Sequence, residues 1–131
     1  MPHQSDASPY KSKGGLRRVF NALRYSAQGL KAAITHEAAF RQELALAVIL
    51  IPAAFFVGRS AIEVLFLIAS VLAVLVIELI NSAIEALADA LSVDTHPLLG
   101  RAKDLGSAAV LIALLFSGAV WATVLISRFV L

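Results

Sequence analysis

Carboxylates set into an apolar run constrain this chain more than any other feature. Residues 64–77 are apolar apart from Ser70, and they continue without a break into Ile77-Glu78-Leu79-Ile80-Asn81-Ser82-Ala83-Ile84-Glu85-Ala86-Leu87-Ala88-Asp89. At about 100° per residue, Glu78, Ser82, Glu85 and Asp89 fall within about 60° of one another, with Asn81 beside them. Ile77, Leu79, Ile80, Ala83, Ile84 and Leu87 cover the rest of the helix. A carboxylate near the middle of a bilayer costs on the order of 3 kcal/mol even on the lenient insertion scale. Such a stripe must therefore face protein, water or a cation, which makes it the first candidate for a functional site.

A hydropathy pass finds three candidate spans, and the 60% hydrophobic and 15% charged content of the 131 residues exceeds what a soluble core of this size needs. The first span is expected over 44–57, short unless the charged turn 36–43 also enters the membrane, with Pro52 as a possible kink. Gly58-Arg59-Ser60 turns the chain into a second span over 61–91, whose Glu85–Asp89 end is expected to emerge into the interface. Residues 92–100 form the longest connection, and the uncharged third span runs over 105–127. Upstream, Leu16, Val19, Phe20, Leu23, Ala27, Leu30 and Ile34 recur at helical spacing, with Arg17, Arg24 and Lys31 on another face. This is the pattern of a basic amphipathic helix lying on the membrane; an ordinary bundle helix has the same period. The expected fold is an all-α membrane protein, with three transmembrane helices plus an N-terminal amphipathic surface helix. Residues 1–15, polar with two prolines, are expected to form a flexible tail preceding one domain over 16–131. The first thirty residues show no apolar core of the secretory signal type, and the absence of cysteine excludes disulfides and thiol chemistry.

Lys11, Lys13, Arg17, Arg18, Arg24, Lys31 and Arg41 precede the first span, and Arg101 and Lys103 flank the third on the same side. By the positive-inside rule that side is cytoplasmic, N-terminus included, with Arg59 and Arg128 on the other. These cations suit an anionic membrane surface or phosphates; nucleic acid is disfavoured, because no binding motif accompanies them. Glu37, Glu85, Asp89, Lys103 and Asp104 then gather at one cytoplasmic rim, with Glu78 deeper.

Carboxylates with an amide, flanked by Arg and Lys, suit a hard cation such as Mg²⁺ together with a polyphosphate. A metal near Glu37 and Glu85 can hold nucleotide phosphates, Lys103 and Arg101 can bind phosphate, and the desolvated Glu78 suits a general base to a lipid hydroxyl. The same stripe also fits an interhelical polar clamp in an assembly protein, or the ion path of a small cation-coupled transporter. Glu37 and Arg41, four apart, fit a simple surface ion pair, and residues 100–109 read as a loop and helix start with Asp104 near the first turn. No P-loop, kinase glycine-rich loop, nucleophile elbow or HExxH motif is present, and His3, His36 and His96 lack metal-ligand spacing.

Taken together, HEAAFRQE at 36–43, IELINSAIEALAD at 77–89 and GRAKDLGSAAVLIA at 100–113 closely resemble the prokaryotic diacylglycerol kinase family. YSAQGLKAA at 25–33 fits that family's amphipathic helix, so the resemblance covers about 17–128. It implies a helical-bundle homotrimer in the bacterial cytoplasmic (inner) membrane. Such a trimer transfers the γ-phosphoryl of MgATP to diacylglycerol at sites shared between subunits. It further implies Glu78 as general base with Asn81 beside the reacting groups, and Glu37 and Glu85 as the metal ligands. Nucleotide contacts would come from Arg18, Tyr25, Asp94, Thr95, His96, Lys103 and Asp104, with Asp89 supporting them from behind. Ser107 would lie near the lipid hydroxyl, and Lys31, Ala39, Arg41, Gln42, Glu43 and Trp121 would face the lipid.

Ala27 stands where many relatives carry Trp, and Pro97 stiffens the loop after His96. Undecaprenol kinase of Gram-positive relatives shares the fold and chemistry, while EAAFRQE at 37–43 resembles the Gram-negative diacylglycerol kinase branch.

Overall fold

The structure, a computed structural model, describes residues 14–92, 94 and 96–131; most of the expected tail, Val93 and Thr95 lie outside the described residues. The described chain is helical throughout: α1 (Gly15–His36), α2 (Ala38–Val57), α3 (Ala61–Leu91) and α4 (Pro97–Phe129). The last three are long and apolar enough to cross a membrane. At about 1.5 Å per residue even α2, the shortest, reaches about 30 Å, the thickness of a hydrocarbon core.

Two N-terminal boundaries differ from the sequence expectation, and N-capping explains that of α4. α2 begins at Ala38 rather than at residue 44, so the charged turn belongs to the span and gives it full length. α4 begins at Pro97 rather than at residue 105, which places Gly100 to Asp104 inside a helix and not in a loop. Pro97 occupies the first helical position, where its fixed φ and missing N–H are an advantage, and His96 Nδ1 accepts from the Leu98 amide at 3.2 Å. Asp104 is therefore the eighth residue of α4, beyond its first turn. Pro52 is tolerated inside α2 although it cannot donate a helical bond.

The α1–α2 junction is a single extended residue, Glu37, at φ −106° and ψ 108°. Arg41 reaches back across it and donates Nη1 to the carbonyls of Ile34 at 3.0 Å and Thr35 at 3.2 Å, closing the end of α1. The expected Glu37–Arg41 surface pair is not formed; the ion pairs among the described residues are Arg59–Glu63 and Lys103–Asp89.

α3 is the central element, packed against α2 on one side and α4 on the other. A buried apolar cluster lies toward the α2–α3 turn, where Ala54, Leu67 and Val124 are buried and Val57, Val64, Ile68, Val120 and Trp121 surround them. Ala54, fully buried, is the one small residue there and lets α2 approach α3 closely. Further along, Ser117 donates to Ser70 Oγ at 3.2 Å across the α3–α4 seam. Much of the apolar surface, including Val48, Ile49, Phe56, Ile62 and Leu115, remains exposed, as lipid-facing helices require.

The same end of the bundle is closed by hydrogen bonds. Ser60 caps α3 by accepting from the Glu63 amide at 3.2 Å, while Glu63 Oε2 accepts from the Arg59 amide at 2.8 Å. Arg59 then donates Nη2 to Ser127 Oγ at 2.6 Å and Nη1 to its carbonyl at 3.3 Å, and Arg128 donates to the Val57 carbonyl at 3.0 Å. Arg59 and Arg128 thus sit at one end of the bundle, as the sequence expects, and there they staple α4 to the α2–α3 turn. Arg59→Ala is expected to lower unfolding free energy by about 1–2 kcal/mol while leaving turnover within about two-fold, read by thermal unfolding in micelles beside an activity assay.

Candidate active site

The opposite end of α3 holds the polar stripe. Of the residues the fold buries, Glu78 (4% exposed), Asn81 (8%) and Ser82 (9%) are polar, and Ser70 is the other. Glu85, one turn on from the amide, is half-buried, and Asp89 is exposed. The helical period therefore does what the spacing implied: it turns one face inward and brings it out at the rim.

Asn81 links the stripe internally, donating Nδ2 to Glu85 Oε1 at 3.2 Å. Its Oδ1 is buried without a partner, and it meets α4 at Gly106, where a Cβ would collide with that oxygen. Glu78 is flanked by other carboxylates: Glu85 on its own helix and Glu37 at the α1–α2 break lie within electrostatic range. Glu43, half-buried on α2, is close enough to repel it, and Glu43 Oε2 is buried without a partner. The kink at Glu37 is what brings that side chain into the company of α3.

Three cavities border the stripe, one of them, of about 360 Å³, an apolar recess lined by Ile80, Asn81, Ile84 and Gly106 at the α3–α4 seam. A groove of about 700 Å³ is lined by Gly29, Leu30 and Ala33 of α1, by Glu37, and by Leu79 and Ser82 of α3. A cleft of about 240 Å³ at the α3–α4 connection is lined by Asp89, Ser92, Asp94, His96, Gly100 and Lys103. Lys103 Nζ donates to Asp89 Oδ1 at 3.0 Å there and lies within range of Glu85, which joins the cleft to the stripe. Ser92 Oγ accepts from the Asp94 amide at 3.1 Å and shapes the turn.

The fold thus gathers Glu37, Glu43, Glu78, Asn81 and Glu85 around α3, and Asp89, Asp94, His96 and Lys103 at its end. Ser107 follows Gly106 on α4, exposed, as is Asp104. Arg18, Lys31, Ala39, Arg41 and Gln42 are also exposed, and Tyr25 is partly so. Trp121 is not brought to the stripe: it packs beside Val124 in the small core near the other end. At about 1.5 Å per residue it stands some 22 Å along α4 from Gly106. The small residues over 100–109 read as a place for close packing, and the structure supplies the partner, Asn81 against Gly106; the capping use of Arg41 had no signal in the sequence reading.

Among the described residues no cluster of three or more His, Asp or Glu side chains encloses a metal. Glu37 and Glu85 are carboxylates, the oxygen donors a hard cation such as Mg²⁺ takes, and Mg²⁺ is usually held by one or two of them with phosphate and water in its other positions.

Fold and site define a small helical membrane protein whose charged site is built into its own spans. A family model described as Prokaryotic diacylglycerol kinase matches residues 24–125, and the chain belongs to that family. It is 50% identical over 116 residues to a diacylglycerol kinase of Haemophilus influenzae, covering 88% of this chain and 98% of that one. Identity to the Pseudomonas aeruginosa diacylglycerol kinase is 49% over 119 residues, 91% of this chain and 97% of the relative. For the Escherichia coli K12 diacylglycerol kinase it is 44% over 115 residues, 88% and 94%.

Gly106→Ala tests the α3–α4 contact. The methyl group must displace Asn81, and a loss of about 1–3 kcal/mol is expected as a lowered unfolding midpoint in micelles; an unchanged midpoint means the two helices have room to part.

Proposed function

We propose that the chain transfers the γ-phosphoryl of ATP to the free hydroxyl of diacylglycerol, making phosphatidic acid at the cytoplasmic face of a bacterial inner membrane. The observation that carries this reading is the burial of Glu78 on a stripe with Asn81 and Glu85, joined by Glu37, in a chain of this family. Glu78 takes the proton of the lipid hydroxyl as its oxygen attacks the γ-phosphorus, and the bond from that phosphorus to the bridging oxygen of ADP breaks. Asn81, fixed by its bond to Glu85, orients the reacting groups. Glu37 and Glu85 would hold Mg²⁺, which when bound neutralises charge on the phosphates.

Lys103 binds phosphate as a point charge, with Asp89 positioning its ammonium group. Asp94, Thr95 and His96 would border the nucleotide on the connection, with Asp104 on α4 and Arg18 and Tyr25 reaching in from α1. The lipid would be met by Lys31, Ala39, Arg41, Gln42, Glu43, Ser107 and Trp121. α1 exposes Leu16, Val19, Phe20, Leu23, Leu30 and Ile34, which supports a helix lying on the membrane surface. The exposed apolar flanks of the spans and the distance of Trp121 from Glu78 support a homotrimer with sites completed by neighbouring subunits. The cations that precede α2 and flank the α3–α4 connection support a cytoplasmic N-terminus.

The test is transfer of label from ATP, with Mg²⁺, in micelles carrying dioleoylglycerol and undecaprenol together. Label is expected in phosphatidic acid; label in undecaprenyl phosphate alone would reverse the choice of acceptor, and no labelled lipid from folded protein would reject the reaction. Glu78→Gln is expected to fold and to lose on the order of 10³-fold in kcat; retained turnover removes Glu78 as the base. Glu37→Gln and Glu85→Gln are each expected to shift the Mg²⁺ titration of activity to higher concentration and to raise KM for MgATP. Unchanged titrations in both would remove the metal assignment.

A further inference from the structure

Ser82 has no role in the chemistry above, yet it stands between the residues that do. It follows Glu78 by four residues and precedes Glu85 by three, on the same face, about 6 Å and 4.5 Å away along the axis. Its side chain is nine-tenths buried, lines the groove that Glu37 also lines, and leaves Oγ without a hydrogen-bond partner.

That last fact sets it apart from Ser70, the other serine the helices bury, and from the helical threonines. A serine or threonine inside a helix normally satisfies itself by donating to a carbonyl three or four residues back. Thr35 does so to Lys31 at 2.7 Å, Thr123 to Ala119 at 2.7 Å, and Ser70 to Leu67 at 2.8 Å. Ser82 does not, although Glu78 offers its carbonyl at the matching position. A buried hydroxyl that bonds nothing is less stable than the alanine that would replace it. The group is accounted for if its partner is a ligand.

We infer that Ser82 donates its hydroxyl hydrogen bond to an oxygen of the phosphoryl group in transit between nucleotide and lipid. The inference rests on the kinase reading. Its place between base and metal ligands puts the donor where equatorial oxygens of a transferred phosphoryl gather charge, and a neutral donor stabilises that charge without adding a proton to the balance. The lipid hydroxyl still gives its proton to Glu78, the bridging oxygen leaves with ADP, and Ser82 keeps its own.

Steady-state kinetics of wild type, Ser82→Ala and Ser82→Thr in dioleoylglycerol micelles, with thermal unfolding of each, test this. Ser82→Ala is expected to unfold at or above the wild-type temperature and to keep KM for MgATP and diacylglycerol within about two-fold. Its kcat falls about 10- to 100-fold, as for loss of one hydrogen bond to a charged group. Ser82→Thr, which keeps the hydroxyl, recovers most of that loss. An unchanged kcat in Ser82→Ala overturns the inference, as does a raised KM for diacylglycerol with kcat intact, which would move the hydroxyl to the lipid. A lowered unfolding temperature with kcat intact makes Ser82 a packing residue and overturns it too. Wild type that makes no phosphatidic acid rejects the kinase reading and this inference with it; active wild type beside an equally active Ser82→Ala rejects the inference alone.

Discussion

The burial of Glu78 inside a membrane helix is the constraint on which the rest of the molecule depends. A carboxylate at that depth is too costly to leave facing lipid, so α3 must be central, with α2 on one side and α4 on the other. The surrounding choices follow from shielding it. Gly106 lets α4 come within reach of Asn81, and Asn81 in turn holds Glu85. Placing further carboxylates beside Glu78 is unfavourable in itself, since Glu37, Glu43 and Glu85 repel it. Clusters of like charge kept in spite of that cost are a mark of functional sites.

Architecture was largely legible from the sequence, because three apolar runs and a 3.6-residue period leave few alternatives. The second span is found where hydropathy expects it, residue for residue, since Ser60 caps one end and the polar Ser92 connection releases the other. The ends of α2 and α4 were misjudged for a common reason. Hydropathy sees where the membrane begins, whereas a helix ends where its backbone groups find other partners, and at α4 Pro97 and His96 decide that.

The site was legible as a stripe but not as a pocket. Spacing placed Glu78, Ser82, Glu85 and Asp89 on one face and so foretold which side would be buried. It carried no information on what would oppose them. Glu37 joins the stripe because one residue between two helices turns extended, a conformation with no glycine or proline to announce it. Glu43 meets Glu78 through the packing of α2 on α3, a distance along the chain that periodicity cannot bridge. Topology and charge had set Glu37 beside Glu85 at one rim, whereas Glu43 was named by the family motifs alone, as was Trp121, which the single chain leaves apart.

The two ends of the bundle differ in a way that divides stability from chemistry. At the Arg59 end, side chains and helix termini bond one another: guanidinium groups take up the Ser127 and Val57 carbonyls, Ser60 caps α3, and the apolar core cluster lies nearby. At the Glu78 end, Asn81 Oδ1, Ser82 Oγ and Glu43 Oε2 are buried without partners, whereas at the Arg59 end Trp121 Nε1 alone is so among the described residues. Folded proteins seldom tolerate such groups, each of which costs about 1–3 kcal/mol. A 131-residue chain with so small an internal core can carry them only if the other end is secure and if ligands or neighbouring subunits complete them. The staple at one end is thus the physical condition for the unsatisfied polar site at the other.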